Sequence, residues 1–280
     1  MRVTIWGARG SIPVSGPEYV RFGGDTTCLE VRDASGEVLL VDAGTGIRRA
    51  GDRLDREGIR NIRLLFTHAH WDHILGFPFF RPLYTPGVRI EIHGCADAVI
   101  SIREILERTM RPPTFPVDLG EVAAELVFPA VCPDRFSVGG VGVGFIPLSH
   151  PNGGVGYSFE EAGRRLVFLT DNELGYVHPG GRPAAEYARF AAGADVLLHD
   201  AEFTAAEYGE RQGWGHSVWE EALALALDAG VGRLGLWHHN RERTDGDLDE
   251  IVAACRARVP GTGAALEVFA ARQGSEIVLS

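Results

Sequence analysis

Leu64-Leu65-Phe66-Thr67-His68-Ala69-His70-Trp71-Asp72-His73 decides how this chain is read. A short apolar run of strand character delivers three imidazoles and one carboxylate to a single point, all within the six residues from His68 to His73. Gathering so many ionisable groups at a strand end is costly unless a cation offsets them, and neutral imidazole with carboxylate suits zinc, manganese or iron. The plainer alternatives are a histidine-rich surface turn or core histidines satisfied by hydrogen bonds. The spacing directly after a strand favours a metal centre.

Composition bounds the rest. At 280 residues, 45% hydrophobic and 23% charged, the chain is long enough to bury a full core, and one large α/β domain over residues 1–280 is expected. The formal net charge of −11, without a long acidic run, opposes nonspecific attraction to nucleic acid or anionic lipid. A small-molecule substrate is therefore expected in place of nucleic acid or a membrane. All 27 basic residues are arginine, which excludes Schiff-base and P-loop lysine chemistry. Cys28, Cys95, Cys132 and Cys255 form no C-x-x-C pair, which excludes a zinc ribbon or a thioredoxin-like motif and leaves free thiols as the expectation. The N-terminus runs straight into a strand-like alternation, and the sequence holds no apolar stretch of about 20 residues, so a soluble cytoplasmic protein is expected.

Along the chain, residues 2–6 read as a first strand, followed by the turn Gly7-Ala8-Arg9-Gly10-Ser11-Ile12-Pro13. Residues 27–32 and 37–41 read as a hairpin, and Asp42-Ala43-Gly44-Thr45-Gly46 turns into a helix over 47–56. The strand 63–66 ends at the metal motif, and 74–80 begins a short helix or loop beside it. A strand at 89–93 precedes a helix over 96–110 that Arg111-Pro112-Pro113 stops. Residues 110–120 read as a loop that either covers the site or is a linker, with Phe115 and Val117 alternatively packing on a partner subunit. Strands at 125–128 and 141–147 lead to Ser149-His150-Pro151-Asn152-Gly153-Gly154, where a histidine leaves a strand for a Gly-rich loop. A hairpin of 156–159 and 166–170 ends at Thr170-Asp171. A helix over 183–192, a strand over 196–198 and a helix over 218–229 follow, with Ser217 as N-cap in the plain reading of the His216 segment. A strand at 233–237 meets His238-His239, and a helix over 244–259 capped by Thr244 precedes closing strands at 267–270 and 277–279. Period two places Leu234, Leu236 and His238 on one face.

The His68-x-His70-x-Asp72-His73 segment resembles the H-x-H-x-D-H signature of the metallo-β-lactamase superfamily, mostly hydrolases with a one- or two-metal site on an αββα sandwich. That resemblance implies two mixed β-sheets flanked by helices. It extends from Asp42, in a D-x-G-x-G turn that buttresses the ligand loop, to His238. Carried over residue by residue, it implies one metal on His68, His70 and His150, a second on Asp72, His73 and His238, and Asp171 bridging them. His239 is the weaker candidate of the double histidine. Two divalent ions, zinc first and manganese or iron as alternatives, would share a hydroxide.

Two further segments, His199-Asp200-Ala201-Glu202-Phe203-Thr204 and Gly213-Trp214-Gly215-His216-Ser217, resemble the H-E-A-T-like and H-S-T-like pair of ribonuclease Z and its phosphodiesterase relatives. The resemblance implies His216 as a general acid oriented by Asp200, which stands where the family usually has the longer Glu. The run Trp6 to Pro13, with Phe22-Gly23-Gly24-Asp25-Thr26-Thr27-Cys28, is similar to a bacterial subgroup related to cyclic-phosphate and cyclic-nucleotide phosphodiesterases, with Asp25 where Asn is common. The expected activity is hydrolysis of a small phosphodiester or cyclic nucleotide by the metal-bridging hydroxide, with Asp72, Asp200 and His216 as the catalytic side chains. Two dications against two carboxylates and a hydroxide leave about one positive charge for an anionic substrate. Arg9 or Arg241 would hold the phosphate. The alternative is a lactone or thioester hydrolase on the same metals; a non-catalytic metal-stabilised scaffold is disfavoured by the full ligand set. Transfer-RNA processing is disfavoured because the stretch between His150 and Asp171 is too short for the family's tRNA-gripping arm. Relatives commonly pair, which implies a homodimer.

Overall fold

The computed structural model describes residues 1–94, 101–129, 135–263 and 265–280. Two seven-stranded sheets face each other. The first takes β1 (Arg2–Gly7), β2 (Cys28–Arg32), β3 (Val38–Val41), β4 (Asn61–Phe66), β5 (Arg89–Gly94) and β6 (Glu125–Val127). The second takes β7 (Arg135–Val138), β8 (Val141–Pro147), β9 (Val155–Glu161), β10 (Arg164–Leu169), β11 (Val196–Asp200), β12 (Arg233–Trp237) and β13 (Glu267–Ala270), while β14 (Glu276–Val278) returns to the first sheet beside β1.

Strand alternation partitions the apolar residues into three layers. Leu39, Val41 and Leu65 point between the sheets and meet Tyr157, Phe159, Phe168, Leu198 and Trp237. Their neighbours Val38, Leu40 and Leu64 point outward to Ile47, Ala50 and Leu54 of α1 (Ile47–Arg56). On the other side, Leu197, Leu234 and Leu236 face α4 (Ala184–Ala191), α6 (Trp219–Ala229) and α7 (Asp245–Arg258). The remaining helices are α2 (Trp71–Ile74), α3 (Ile102–Thr109) and α5 (Ala205–Tyr208). This is the expected αββα sandwich of mixed sheets.

Strands β3 to β6 run parallel, as do β10 to β13. Their carboxyl ends leave loops at one edge of the sandwich, the usual place for a site in sheets of this kind. The helix over 47–56 and the hairpins form as the sequence predicts. The helix expected over 96–110 is described only as α3, because residues 95–100 lie outside the described residues, as do Cys95 and Cys132. Cys28 and Cys255 are buried free thiols. The stretch 74–80, expected as a short helix or loop, begins at the last residue of α2, which starts at Trp71 within the metal motif, and then holds a single 3-10 turn over Phe77–Phe79. Strand β7 and the single turn α5 carry too little periodic signal to be foreseen. Phe115 packs edge-on against Phe79 of its own chain, with ring centroids 5.7 Å apart. No helix among the described residues is long and apolar enough to cross a membrane.

Candidate metal centre

Every donor at the centre lies just beyond a strand: His68 to His73 after β4, His150 after β8, Asp171 after β10, Asp200 and Glu202 at and after β11, His238 after β12. Asp42, Asp171 and His238 have φ of 63°, 52° and 55°, a left-handed turn that non-glycine residues adopt only when their surroundings over-determine it. At His238 this turn ends the strand that carries Leu234 and Leu236.

The ligand atoms fall into two groups. One of each from His68, His70, His150 and Asp171 lie within 4.8 Å of one another, as do those of Asp72, His73, Asp171 and His238. Asp171 belongs to both: Oδ2 is 3.6 Å from His68 Nε2 and 3.2 Å from His238 Nε2, and Oδ1 is 3.2 Å from His73 Nε2. These are the seven residues the sequence brings forward.

Polar contacts on the far side of three of the rings fix which nitrogen faces inward. His150 Nδ1 donates to Gly215 O at 3.0 Å and leaves Nε2 inward, 3.1 Å from His70 Nδ1. His73 Nδ1 meets Asp42 Oδ2 at 2.8 Å, and the same carboxylate accepts from the Thr67 amide and hydroxyl, each at 2.7 Å. Asp42 is therefore the buttress of the ligand loop. His238 Nδ1 lies 2.9 Å from Glu202 Oε2 and turns Nε2 toward Asp72 and Asp171. Among the described residues, the buried ring nitrogens without a hydrogen-bond partner include His68 Nε2 and His73 Nε2, and His238 Nδ1, which meets Glu202 as an ion pair only. An orphaned nitrogen in a protein interior costs free energy, and a dication is the partner that this set of imidazoles and carboxylates fits.

The electrostatics agree. Burial pushes the His150 ring down to about 3 and His68 well below its usual range, so both hold free lone pairs at neutral pH. Burial also works against charging His73 and His238, but Asp171 leads a set of carboxylates that raises both well above the usual histidine value. That surplus of negative charge draws protons, and would equally draw a metal cation.

A third grouping, Asp200, His216 and His238, also lies within 4.8 Å. In it Asp200 Oδ2 and His216 Nδ1 are 2.7 Å apart, a direct hydrogen bond. The shorter Asp arm reaches the ring. The same carboxylate's Oδ1 accepts from the amides of Glu202 and Ser217, both at 3.1 Å. Burial lowers the His216 ring, yet Asp200 and then Glu202 override it and hold it up to about 9. The ring stacks on His238 with centroids 4.4 Å apart.

Two glycines make the packing possible. A Cβ at Gly10 would stand 2.3 Å from the His238 ring, and one at Gly215, whose φ is +97°, would stand 2.0 Å from His150 Nδ1. The backbone of Ser11 then donates to Asp72 Oδ2 at 2.8 Å.

Three expectations need correcting. Arg9 does not face a phosphate: it is buried, and its guanidinium bonds the carbonyls of Asn240, Arg243 and Gly23 at 2.8 to 3.0 Å. Arg241 is exposed and pairs with Glu242 at 3.3 Å. Ser217 is not a helix cap, since Val218 holds that position and the Ser217 hydroxyl donates to Asn172 O at 2.6 Å. The charge account also changes, because Asp42, Asp200 and Glu202 are buried beside Asp72 and Asp171. With them and the shared hydroxide counted, two dications and a protonated His216 would leave the centre about one unit negative.

His239 is structural, donating Nε2–H to Ala271 O at 2.8 Å, and Asp25 is spent on Thr45, whose hydroxyl donates to it at 3.0 Å. Sequence reasoning overlooks Glu202 and Glu173. For Glu202 the i, i+2 spacing from Asp200 at a strand end is the available signal; for Glu173 there is none.

A four-layer sandwich with a histidine and aspartate centre at the strand ends defines the metal-dependent hydrolases of this fold. The model of the beta-lactamase superfamily domain matches residues 38–239, and the chain belongs to that family. Ribonuclease Z of Haloarcula marismortui is 27% identical, with 99% of this chain and 96% of the relative covered. Among solved structures, the metallo-beta-lactamase fold protein YhfI from Bacillus subtilis aligns with a TM-score of 0.71 at 19% identity, over 99% of this chain and 98% of that one. A diphosphatase from the PhnP family aligns with a TM-score of 0.69 at 20% identity, over 100% and 98%. At these identities the two structures establish a common fold.

Proposed function

We propose that this chain, as one domain over residues 1–280, is a phosphodiesterase acting on a small or cyclic phosphodiester with two divalent metal ions, zinc foremost. His68, His70 and His150 would hold one ion, Asp72, His73 and His238 the other, with Asp171 between them. When bound, the pair would supply Lewis acidity at the phosphoryl oxygens and a water-derived nucleophile at neutral pH.

The observation that carries the choice of substrate is the hydrogen bond of 2.7 Å between Asp200 and His216 beside the ligand groups. An alkoxide leaving from phosphorus needs a proton, and a ring held protonated up to about 9 has one to give at neutral pH. With Nδ1 committed to Asp200, Nε2 is the nitrogen that hands it over. Asp200 orients the ring and stabilises its charged form, and Asp72 fixes the second ion's side of the centre. The names ribonuclease Z and diphosphatase among the relatives both denote cleavage at phosphorus, which supports the same reading.

A small substrate is favoured over RNA because β9 and β10 are joined through the tight turn at Ala162 and Gly163, without an inserted arm between His150 and Asp171. The excess of acidic residues supports it too. A cytoplasmic homodimer completes the proposal, and sedimentation at micromolar concentration tests the dimer. For the activity, a phosphodiester panel is assayed beside a lactone and thioester panel on protein purified without chelator. Hydrolysis confined to the lactones or thioesters, or metal content near zero in folded protein, rejects the proposal.

A further inference from the structure

The geometry points to Glu173 as a positioning residue that sets the loop carrying His216, an inference that rests on the reading of His216 as the leaving-group acid. Glu173 leaves β10 two residues after Asp171, and its side chain is fully buried. The carboxylate accepts four hydrogen bonds. Oε1 takes the Tyr208 hydroxyl at 2.6 Å and the Gly213 amide at 2.7 Å; Oε2 takes the Gly215 amide at 2.8 Å and faces His178 Nε2 at 2.8 Å.

Two of those donors are backbone groups of Gly213 and Gly215, whose φ values are 87° and 97°. A Gly-x-Gly segment has little preference of its own, so what bonds its amides decides where it sits. His216 follows at once. On its other side Ser217 is tied to the residues flanking Glu173, donating to Asn172 O at 2.6 Å and accepting from the Leu174 amide at 3.0 Å. Glu173's own amide donates to Ser149 O at 2.8 Å, and the Gly215 carbonyl held by this arrangement accepts from His150 Nδ1 at 3.0 Å. One side chain therefore references the loop of the acid to the segments of Asp171 and His150. Catalysis needs such registration, since a misplacement of about 1 Å costs on the order of 100-fold.

Glutamine at 173 is the informative change because it keeps size and burial. Whichever way its amide sits, one oxygen becomes an NH2. At the Oε1 position Gly213 then loses its acceptor, and at the Oε2 position Gly215 does. A side-chain amide cannot satisfy both glycines.

The test compares Glu173→Gln, Tyr208→Phe, His216→Ala and the double variant Glu173→Gln/His216→Ala with the full-length wild type. Hydrogen exchange of the 211–217 peptide, read without any substrate, is expected to quicken at least about tenfold in Glu173→Gln and to a smaller degree in Tyr208→Phe, with metal content unchanged. On an alkyl phosphodiester kcat should fall roughly 10- to 100-fold in Glu173→Gln with KM within about twofold, while bis-nitrophenyl phosphate changes by less than about threefold. The double variant should be no slower than His216→Ala alone, because Glu173 acts through that ring. Unchanged exchange, equal losses on the two substrates, or multiplying losses in the double variant would overturn the inference. If the wild type hydrolyses neither phosphodiester, the functional reading fails, and the exchange result still decides whether Glu173 holds the loop.

Discussion

Glu202 Oε2 lies 2.9 Å from His238 Nδ1, and two residues earlier on the same strand end Asp200 meets His216 at 2.7 Å. One carboxylate backs an imidazole that faces the metal groups, and the other backs an imidazole outside them. Asn240 Nδ2 donates to Glu202 Oε1 at 2.9 Å and keeps the first pair in register.

Removing the charge of Glu202 should weaken the second metal position without touching the first. Partners of this kind are typically worth about 10- to 100-fold in metal affinity. Glu202→Gln is expected to lose one of two equivalents in a chelator competition that the wild type withstands. Retention of both equivalents at wild-type affinity would show that His238 needs no such support.

The donors of the centre are legible because each stands at a strand end in a dense or Gly-flanked motif: His68 to His73 by density, and His150 and Asp171 by the strands before them. What supports them is not, because a carboxylate such as Glu173 finds its four donors from residues up to 42 positions away. Arg9 shows the same limit from the other side. A basic residue in a Gly-rich turn invites a phosphate role, and only the fold reveals that its two terminal nitrogens bond the carbonyls of Asn240, Arg243 and Gly23. The hairpins and the helix over 47–56 carry their periodicity locally. Strand β7 takes its place from pairing with β8.

Arg9 is consequently a stability residue. It is a cation whose side chain bonds three backbone carbonyls, tying the turn after β1 to the loop after β12, and burial lowers its pKa from the usual value. A lysine cannot span the same fork of acceptors. Arg9→Lys should destabilise by about 2 to 3 kcal/mol, given that hydrogen bonds to charged groups are each worth roughly 1.5 to 3 kcal/mol. The midpoint of urea unfolding reads this. A shift below a few tenths of a kcal/mol would mean that water replaces the lost contacts.

Metal removal should destabilise the fold because Asp42, Asp72, Asp171, Asp200 and Glu202 are buried around one point. A ligand that binds only the native state at about 1,000 times its dissociation constant contributes roughly 4 kcal/mol. For a domain of this size that corresponds to on the order of 10 °C in melting temperature. Chelator-treated protein should melt lower by about that amount and recover on adding zinc. Identical melting curves for the two forms would remove the electrostatic case for the centre.

His216 provides the sharpest test, because its role predicts both a substrate dependence and a pH dependence. The ring is buried, which lowers its pKa, but Asp200 and Glu202 raise it to about 9, so the donating form is present at neutral pH and is lost as pH rises through that value. Bound dications would oppose the two carboxylates, so the basic limb of kcat for an alkyl phosphodiester is expected at or somewhat below about pH 9. Asp200→Asn removes the largest upward influence and should move that limb down, with a milder loss than His216→Ala. General acid catalysis is worth about two to four orders of magnitude where the leaving group is poor, while nitrophenolate needs little protonation. His216→Ala should therefore cripple the alkyl diester and largely spare bis-nitrophenyl phosphate, at unchanged metal content. Equal loss on both substrates would recast the ring as a phosphate-binding group. Loss of metal would make it a ligand through Nε2, with the hydrogen bond from Nδ1 to Asp200 orienting the ring.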